Sequence, residues 1–199
     1  MLTQAQTYRG YTISVPSYEL PVTLEIVRAH LRNEDLNSDD EYVRHLILGA
    51  AAYIERTYGL ALLTQTIVET HAAFPSCAGN PMLLRIAPLV EITSIQYLDT
   101  AGATQTWSAS EYTSGSFNFS PFVVPKTTYN FPTSVAQLPN AVTVTYRAGF
   151  GTKSSAVPAN IRSALLLLVA HMYENREDSP ITLPQASSHL LSSFYRFSI

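Results

Sequence analysis

The sequence predicts an α+β fold: an N-terminal helical hairpin, a small antiparallel β-sheet with long loops, a long C-terminal helix and a short C-terminal tail. Three observations carry this expectation. Apolar residues between positions 24 and 58 recur at helical spacing among crowded charges. A middle stretch rich in Val, Ile, Thr and Tyr alternates at period two. A further apolar segment opens at Pro158, a residue suited to a first helical turn.

Taken in order, the first helix should start after Pro21 with Thr23 as N-cap. Glu25 then falls at the positive end of the helix dipole and Arg28 and Arg32 toward the negative end. Leu24, Val27 and Leu31 share a face. The second helix is expected to begin after Ser38, Asp39 and Asp40 and to run to Tyr58, with Val43, Leu46, Ile47, Ala50, Ala51, Ile54 and Tyr58 as its stripe and Gly59 as its stop. The short acidic loop 33–38 joins the two. Strands follow at Leu63–Thr70, Met82–Ile86, Val90–Leu98, Thr104–Trp107 and Ala141–Arg147, the last with Val142, Val144 and Tyr146 alternating against Thr143, Thr145 and Arg147. Asp99-Thr100-Ala101-Gly102 has turn chemistry, so 90–107 reads as a hairpin. Ser114–Pro139 reads as an irregular stretch, broken by Pro121, Pro125, Pro132 and Pro139, yet it carries Phe117, Phe119, Phe122, Tyr129 and Phe131. A long greasy loop is unusual in an isolated monomer. The third helix should run from Pro158 to about Glu177. Ile161, Leu165, Leu168 and Met172 make its stripe, while Leu166, Leu167, Val169 and Ala170 spread apolarity around it. Pro180 and Pro184 end it, and Leu190, Leu191, Phe194, Tyr195 and Phe197 make a tail too apolar to lack a partner.

Composition narrows the function classes. The chain has 199 residues, 46% hydrophobic and 14% charged, with net charge −3, 12 tyrosines, 8 phenylalanines and one tryptophan. A charged share near ~25% is usual. Intrinsic disorder is excluded, since it needs low hydrophobicity and high net charge. The longest apolar run, Ala164–Ala170, is far short of the ~20 residues of a membrane span, so no membrane partner is expected. The first residues lack the basic start and apolar stretch of a secretory signal. One cysteine, Cys77, permits no internal disulfide, and the charge balance lacks the positive field of nonspecific nucleic-acid binders. Charge is crowded between Glu19 and Arg56; from Thr57 to Ala170 it is carried by Glu69, Arg85, Glu91, Asp99, Glu111, Lys126, Arg147, Lys153 and Arg162 alone.

Each stretch that resembles a catalytic or ligand-binding pattern has a plainer reading. Asp35-Leu36-Asn37-Ser38-Asp39 begins like a calcium-binding EF-hand loop, but Asp40 replaces the sharp-turn glycine and Leu46 the closing glutamate. Helix capping by Asp39 or Asp40 explains these residues better. Gly149-Phe150-Gly151-Thr152-Lys153-Ser154 lies between strand and helix like a phosphate-binding loop, yet Thr152 stands where a glycine must precede the lysine. A glycine-rich turn accounts for it. His30, His45, His71, His171 and His189 form no close-spaced metal pair, Glu91 and Glu111 have no pattern particular to a glycosidase, and Cys77 lacks a basic neighbour to activate it. No catalytic residue, cofactor or metal is therefore expected.

The order of segments resembles a known family. Its pieces are Pro21-Val22-Thr23-Leu24 with His30-Leu31-Arg32, then Ile54-Glu55-Arg56-Thr57-Tyr58-Gly59 and Ala61-Leu62-Leu63-Thr64-Gln65-Thr66. Pro88-Leu89 with Ile92-Thr93-Ser94-Ile95 follows, then Phe131-Pro132 and the run Val142-Thr143-Val144-Thr145-Tyr146-Arg147-Ala148-Gly149-Phe150-Gly151. Val157-Pro158-Ala159-Asn160-Ile161 leads to Leu168–Glu177, and Leu190-Leu191 to Tyr195-Arg196 closes the series. This order over 21–196 resembles the head–tail connector, or adaptor, proteins of long-tailed bacteriophages and prophages. Leu60 and Ile67 depart from the basic and aromatic residues usual there, and residues 1–16 lie outside the resemblance.

The resemblance implies a non-enzymatic structural protein that forms a ring below the portal, extends the DNA channel and gives the tail its attachment site. The implied partners are other copies of the chain, in a dodecamer, the portal protein, and a tail-side connector or tail terminator. Viral DNA would be enclosed without sequence-specific binding. The implied location is the head–tail junction of a virion made in the bacterial host cytoplasm. Residues 1–16 would be an N-terminal arm, 17–178 a single connector domain and 179–199 a docking tail. In that tail Leu190, Leu191, Phe194, Tyr195, Arg196 and Phe197 would meet the portal. Phe117, Phe119, Phe122, Tyr129 and Phe131 would meet a neighbouring subunit or tail component. Sparse charge and many aromatics agree independently, because interfaces deplete Lys, Glu and Asp and favour aromatics. Two alternatives belong to other classes: a monomeric β-rich carbohydrate- or protein-binding module that stacks ligand on Trp107 and the 117–131 aromatics, and an enzyme with a diffuse acidic site.

Overall fold

The computed structural model describes residues 10–15, 19–32, 40–76, 80–176 and 184–195. The acidic loop 33–38, Cys77, and Arg196 and Phe197 of the tail lie outside the described residues. The fold is α+β with antiparallel sheets, and the chain divides into two compact units. One comprises Gly10–Val15 and the described residues of Gln65–Ala148; the other comprises the described residues of Ser17–Thr64 and Gly149–Ile199.

The first unit is built on a five-stranded sheet and a three-stranded one. The five-stranded sheet takes β1 (Gly10–Val15), β2 (Gln65–His71), β4 (Leu89–Leu98), β5 (Thr104–Thr106) and β8 (Val142–Ala148) in the order β1-β2-β8-β4-β5, every pairing antiparallel. β8 keeps its sequence rhythm: Val142, Val144, Tyr146 and Ala148 are buried and the residues between them half-buried. β2 behaves likewise but buries Gln65, Ile67, Glu69 and His71, so its inward face is mostly polar. The 90–107 hairpin forms as β4 and β5, joined by a turn in which Asp99 Oδ1 accepts the N–H groups of Ala101 and Ala103, both at 2.9 Å. The Gln105 amide and these backbone donors favour the ionised carboxylate and hold Asp99 below its ordinary value.

The second sheet corrects an expectation. Ser114–Pro139 is not irregular throughout, because β3 (Met82–Leu83), β7 (Ser120–Pro125) and β6 (Tyr112–Phe117) form an antiparallel sheet in the order β3-β7-β6. Pro121 does not break it. Its carbonyl accepts the Leu84 N–H at 2.8 Å, a bond that uses the acceptor proline retains, and Pro125 closes the strand. Phe74, Tyr97, Trp107, Tyr112 and Phe131 pack as a chain of rings with centroids 4.9–5.8 Å apart, the spacing at which aromatic pairs attract.

The second unit is helical. α1 (Leu24–Leu31) has Thr23 as N-cap, its hydroxyl accepting from Ile26 N at 3.5 Å, with Glu25 in the first turn and Arg28 in the last. α2 (Asp40–Tyr58) buries Val43, Leu46, Ile47, Ala50, Ala51, Ile54 and Tyr58, the stripe the spacing predicts. Gly59 ends it at φ 64°, and Leu60 N donates to Glu55 O at 3.0 Å, the closing bond of a Schellman cap. The Arg28 guanidinium grips the Asp40 carboxylate across the two helices, with Nε 3.1 Å from Oδ1. α3 (Ala159–Glu174) buries Ile161, Ala164, Leu165, Leu168 and Val169. Leu166, Leu167 and Ala170 are only half-buried, so the helix is less enclosed than its composition implies. α4 (Gln185–Leu191), in the region read as tail, packs on α3: Ser187 Oγ donates to Ala164 O at 3.3 Å and Asn160 Nδ2 to Leu190 O at 3.4 Å. Among the described residues no helix is long and apolar enough to cross a membrane.

Candidate interaction surface

The five aromatics singled out between 117 and 131 occupy different settings. β6 and β7 are joined by Asn118 and Phe119, both at positive φ (45° and 56°), the backbone of a type I′ hairpin turn. That turn suits the strand twist but places a bulky side chain in the left-handed region, where such residues are outliers. Phe117, last residue of β6, is 73% exposed. Phe119 is half-buried. Phe122 is half-buried and lies over its cross-strand partner Gly115, where an added Cβ would stand 3.0 Å from the ring. Tyr129 is exposed. Phe131 belongs to the core, its ring stacked 5.6 Å from that of Phe74.

Beside Phe131 the surface opens into a groove of about 460 Å³, walled by Ala73, Phe74, Pro75, Phe131, Pro132 and Val135 among others, with no charged side chain in its lining among the described residues. Its far wall is tied to the hairpin turn: Val135 bridges to Asp99, and Ala136 N donates to Leu98 O at 2.8 Å. Trp107 is 3% exposed and inside the ring cluster, which removes it as a stacking platform for an outside ligand.

In the tail, Leu191 and Phe194 are buried within the helical unit, Phe194 edge-on to Phe150 at 6.1 Å. Leu190 is half-buried. Tyr195 is 67% exposed, with its ring edge-on to Tyr58 at 5.4 Å.

Sequence reasoning missed a buried polar group in the five-stranded sheet. Glu69 is wholly buried. Its Oε2 accepts from Tyr146 Oη at 2.9 Å and from Arg85 N at 2.8 Å, and Ile86 N donates to the same tyrosine oxygen at 3.0 Å. His71 Nε2 stands 3.2 Å from Oε1, at ion-pair distance but without hydrogen-bond alignment. Oε2 is thus held by Tyr146 of β8 and by the Arg85 N–H, while Oε1 and His71 Nε2 face each other without a hydrogen bond, so the group braces the sheet through one oxygen. The signal was present in the β2 alternation, which sets Glu69 and His71 on the face of Ile67.

The remaining residues of chemical interest are similarly occupied. Glu91 pairs with Arg147 across β4 and β8 at 2.9 Å, both well exposed, a contact worth about 0.2–1 kcal/mol. Glu111 is half-buried at the entry to β6, its carbonyl taken by Lys126 N at 2.9 Å. The glycine-rich run after β8 folds back on residues 63–64: Gly149 sits at φ 141°, a Cβ there would be 2.5 Å from the backbone of Leu63 and Thr64, and Thr64 N donates to Gly151 O at 2.8 Å. The run thus closes a turn through its Gly151 carbonyl. Glu55 lies near the α2 terminus and accepts Leu62 N at 2.8 Å. Burial pushes its carboxyl above the ordinary value, and the Leu62 N–H partly opposes this. Among the described residues no three His, Cys, Asp or Glu side chains could jointly hold a metal ion.

No family model matches the chain, and no curated protein does. Solved structures do. A chain in the neck of an empty gene transfer agent (GTA) particle, computed with C6 symmetry, superposes with TM-score 0.79 at 22% identity, covering 96% of this chain and 97% of that one. A chain in the virion of a native GTA particle gives 0.77 at 22% identity, over 95% and 96%. A chain in the neck of a native GTA particle computed with C12 symmetry gives 0.69 at 24% identity, over 96% of each. At these identities the likeness establishes a shared fold across nearly the whole chain.

Proposed function

We propose that this chain is a structural, non-enzymatic subunit of the neck of a phage or phage-like particle: a head–tail connector that assembles as a ring beneath the portal. The observation that carries the reading is the near full-length likeness to chains in particle necks. The ring would continue the DNA channel and present the tail's attachment site to a tail-side connector or tail terminator. Twelve copies are the expected number; the neighbouring necks, computed with C6 and with C12 symmetry, support a ring. The setting is the head–tail junction of a virion whose parts are made in the bacterial cytoplasm.

The surface suits such a role. Ile13, Leu48, Val90, Phe117, Tyr129, Leu138 and Tyr195 are large apolar or aromatic side chains left at 44–73% exposure on a chain with little charge to solvate it. Neighbouring subunits would cover many of them. The chain's slight negative charge lets DNA pass without being gripped, since affinity for phosphates depends on Lys and Arg neutralising them. Because Leu191 and Phe194 are committed to the helical unit, portal docking would fall to exposed Tyr195 and half-buried Leu190, with Arg196 and Phe197 following in the sequence.

Native mass spectrometry with and without the portal protein tests the reading. A ring, formed alone or on the portal, is the expected species. A persistent monomer that ignores the portal and binds glycans on an array would overturn it.

A further inference from the structure

We propose that the β6–β7 hairpin tip of one subunit inserts Phe117 into the groove walled by Phe74, Pro75, Phe131, Pro132 and Val135 on the next, making this knob and hole the repeating contact of the ring. The inference rests on the ring reading and adds the residues that close it.

Phe117 is held outward by construction. It ends β6 beside a two-residue turn whose second member, Phe119, occupies the left-handed region at φ 56°. A bulky residue persists there only where surrounding structure imposes it. The result is a short, hydrogen-bonded arm with an aromatic ring 73% exposed at its end, so Phe117 is not seated in the groove of its own chain.

The groove suits that ring in shape and chemistry. About 460 Å³ is within the range of pockets that engulf whole ligands, ample for a phenyl ring with part of its strand. The lining includes the outer edges of Phe74 and Phe131, core rings that are 9% and 6% exposed and stack 5.6 Å apart, so an incoming ring would add to the margin of an existing aromatic cluster. The tip, Ser114-Gly115-Ser116-Phe117-Asn118-Phe119-Ser120, carries no charge, and among the described residues the lining is apolar, amide or hydroxyl. No ion loses its water when they meet. An occupant with a charged anchor would find no counter-ion, whereas a second copy supplies an uncharged aromatic one.

Knob and hole are different patches on one subunit. Joining them makes a head-to-tail contact, the kind that generates rings; a self-complementary patch would stop at a dimer. Aromatic anchors in well-packed pockets are also where interface energy concentrates.

Crosslinking of the full chain, with portal protein present and absent, tests this. In a Cys77→Ser background, Phe117→Cys combined with Ala73→Cys should give, on oxidation, a ladder of covalent multimers, and either cysteine alone should give monomers. Phe117→Ala should raise the concentration needed for half assembly at least tenfold with an unchanged circular dichroism spectrum, Phe117→Leu should recover most of it, and Ala73→Trp, which fills the groove from an exposed position, should match the alanine loss. Rings that form as readily from Phe117→Ala and give no ladder would overturn the contact while the ring reading stands. Phe117→Cys alone yielding covalent dimers would overturn it in favour of tip-to-tip pairing. If wild-type protein forms no ring even on the portal, the ring reading falls and takes this contact with it.

Discussion

Removing residues 184–199 is the direct way to ask whether the tail docks on the portal, and the structure predicts that it will mislead. Leu191 is 0% and Phe194 5% exposed within the helical unit, and burial of such a side chain contributes about 1.5–3 kcal/mol. Ser187 adds a buried hydrogen bond to Ala164 O at 3.3 Å, worth about 0.5–1.5 kcal/mol. The truncation should therefore cost roughly 4–7 kcal/mol, a large part of the ~5–15 kcal/mol that holds a typical domain together. At ~2–4 °C per kcal/mol for a chain of this size, the thermal midpoint should fall by about 8–28 °C. Lost portal binding would then report unfolding. Tyr195→Ala separates the two effects, because that residue is 67% exposed and its edge contact with Tyr58 is worth only about 0.5–1.5 kcal/mol. Melting curves by circular dichroism, paired with portal pull-down, should show the truncated chain losing stability and binding together and Tyr195→Ala losing binding with little change in midpoint. A truncated chain that melts at the wild-type temperature would refute the reasoning, since α4 would then contribute nothing to the unit it packs on.

Three further perturbations test other parts of the structure. Tyr146→Phe deprives the Ile86 N–H of its acceptor and Glu69 of one donor, and should cost about 1–3 kcal/mol in urea unfolding; an unchanged midpoint would dismiss the brace. Glu55 has its carboxyl raised by burial, so the folded chain holds that proton better than the unfolded one. Its contribution is complete below the unfolded value of about 4.3 and is lost as pH rises through the higher folded value, so wild type should lose stability relative to Glu55→Gln on going from pH 4 to 7, and a gain would show the sign to be wrong. Gly149→Ala places a Cβ 2.5 Å from backbone at φ 141° and should cost more than about 2 kcal/mol, seen as a lower midpoint in the same urea assay; a cost under half of that would mean residues 63–64 yield easily.

α1, α2 and α3 were legible because each buries one face against the rest of its unit. The stripe from Val43 to Tyr58 on α2 and the Thr23 cap of α1 are local patterns with a single physical meaning. β8 was legible for the same reason, since Val142, Val144 and Tyr146 alternate with polar residues. β1 was not: Thr12, Ile13 and Ser14 are all exposed on an edge strand, so burial leaves no alternating imprint. The β6–β7 hairpin hid behind Pro121, which needs only its carbonyl there, and behind a turn with phenylalanine where glycine is usual. α4 was announced only by Pro184 and a short apolar spacing, which read equally well as an extended tail. As for the surface, the exposed aromatic run was visible, but its division into tip and core was not. Phe131 is buried by Phe74 and Trp107, residues far from it in the chain.

Each compact unit is assembled from two separate lengths of chain, and this sets a timetable for biosynthesis. β2 leaves the ribosome ~70 residues before β8, its central partner, a wait of roughly 4–14 s at ~5–20 residues per second. Through that interval the strand Gln65-Thr66-Ile67-Val68-Glu69-Thr70-His71 has β1 on one side only, and Glu69 is its one acidic or basic charge. A charge within a strand-forming segment discourages pairing with foreign strands. The carboxylate that Tyr146 secures in the finished sheet is thus also a charge placed to disfavour wrong pairing of the strand before β8 arrives.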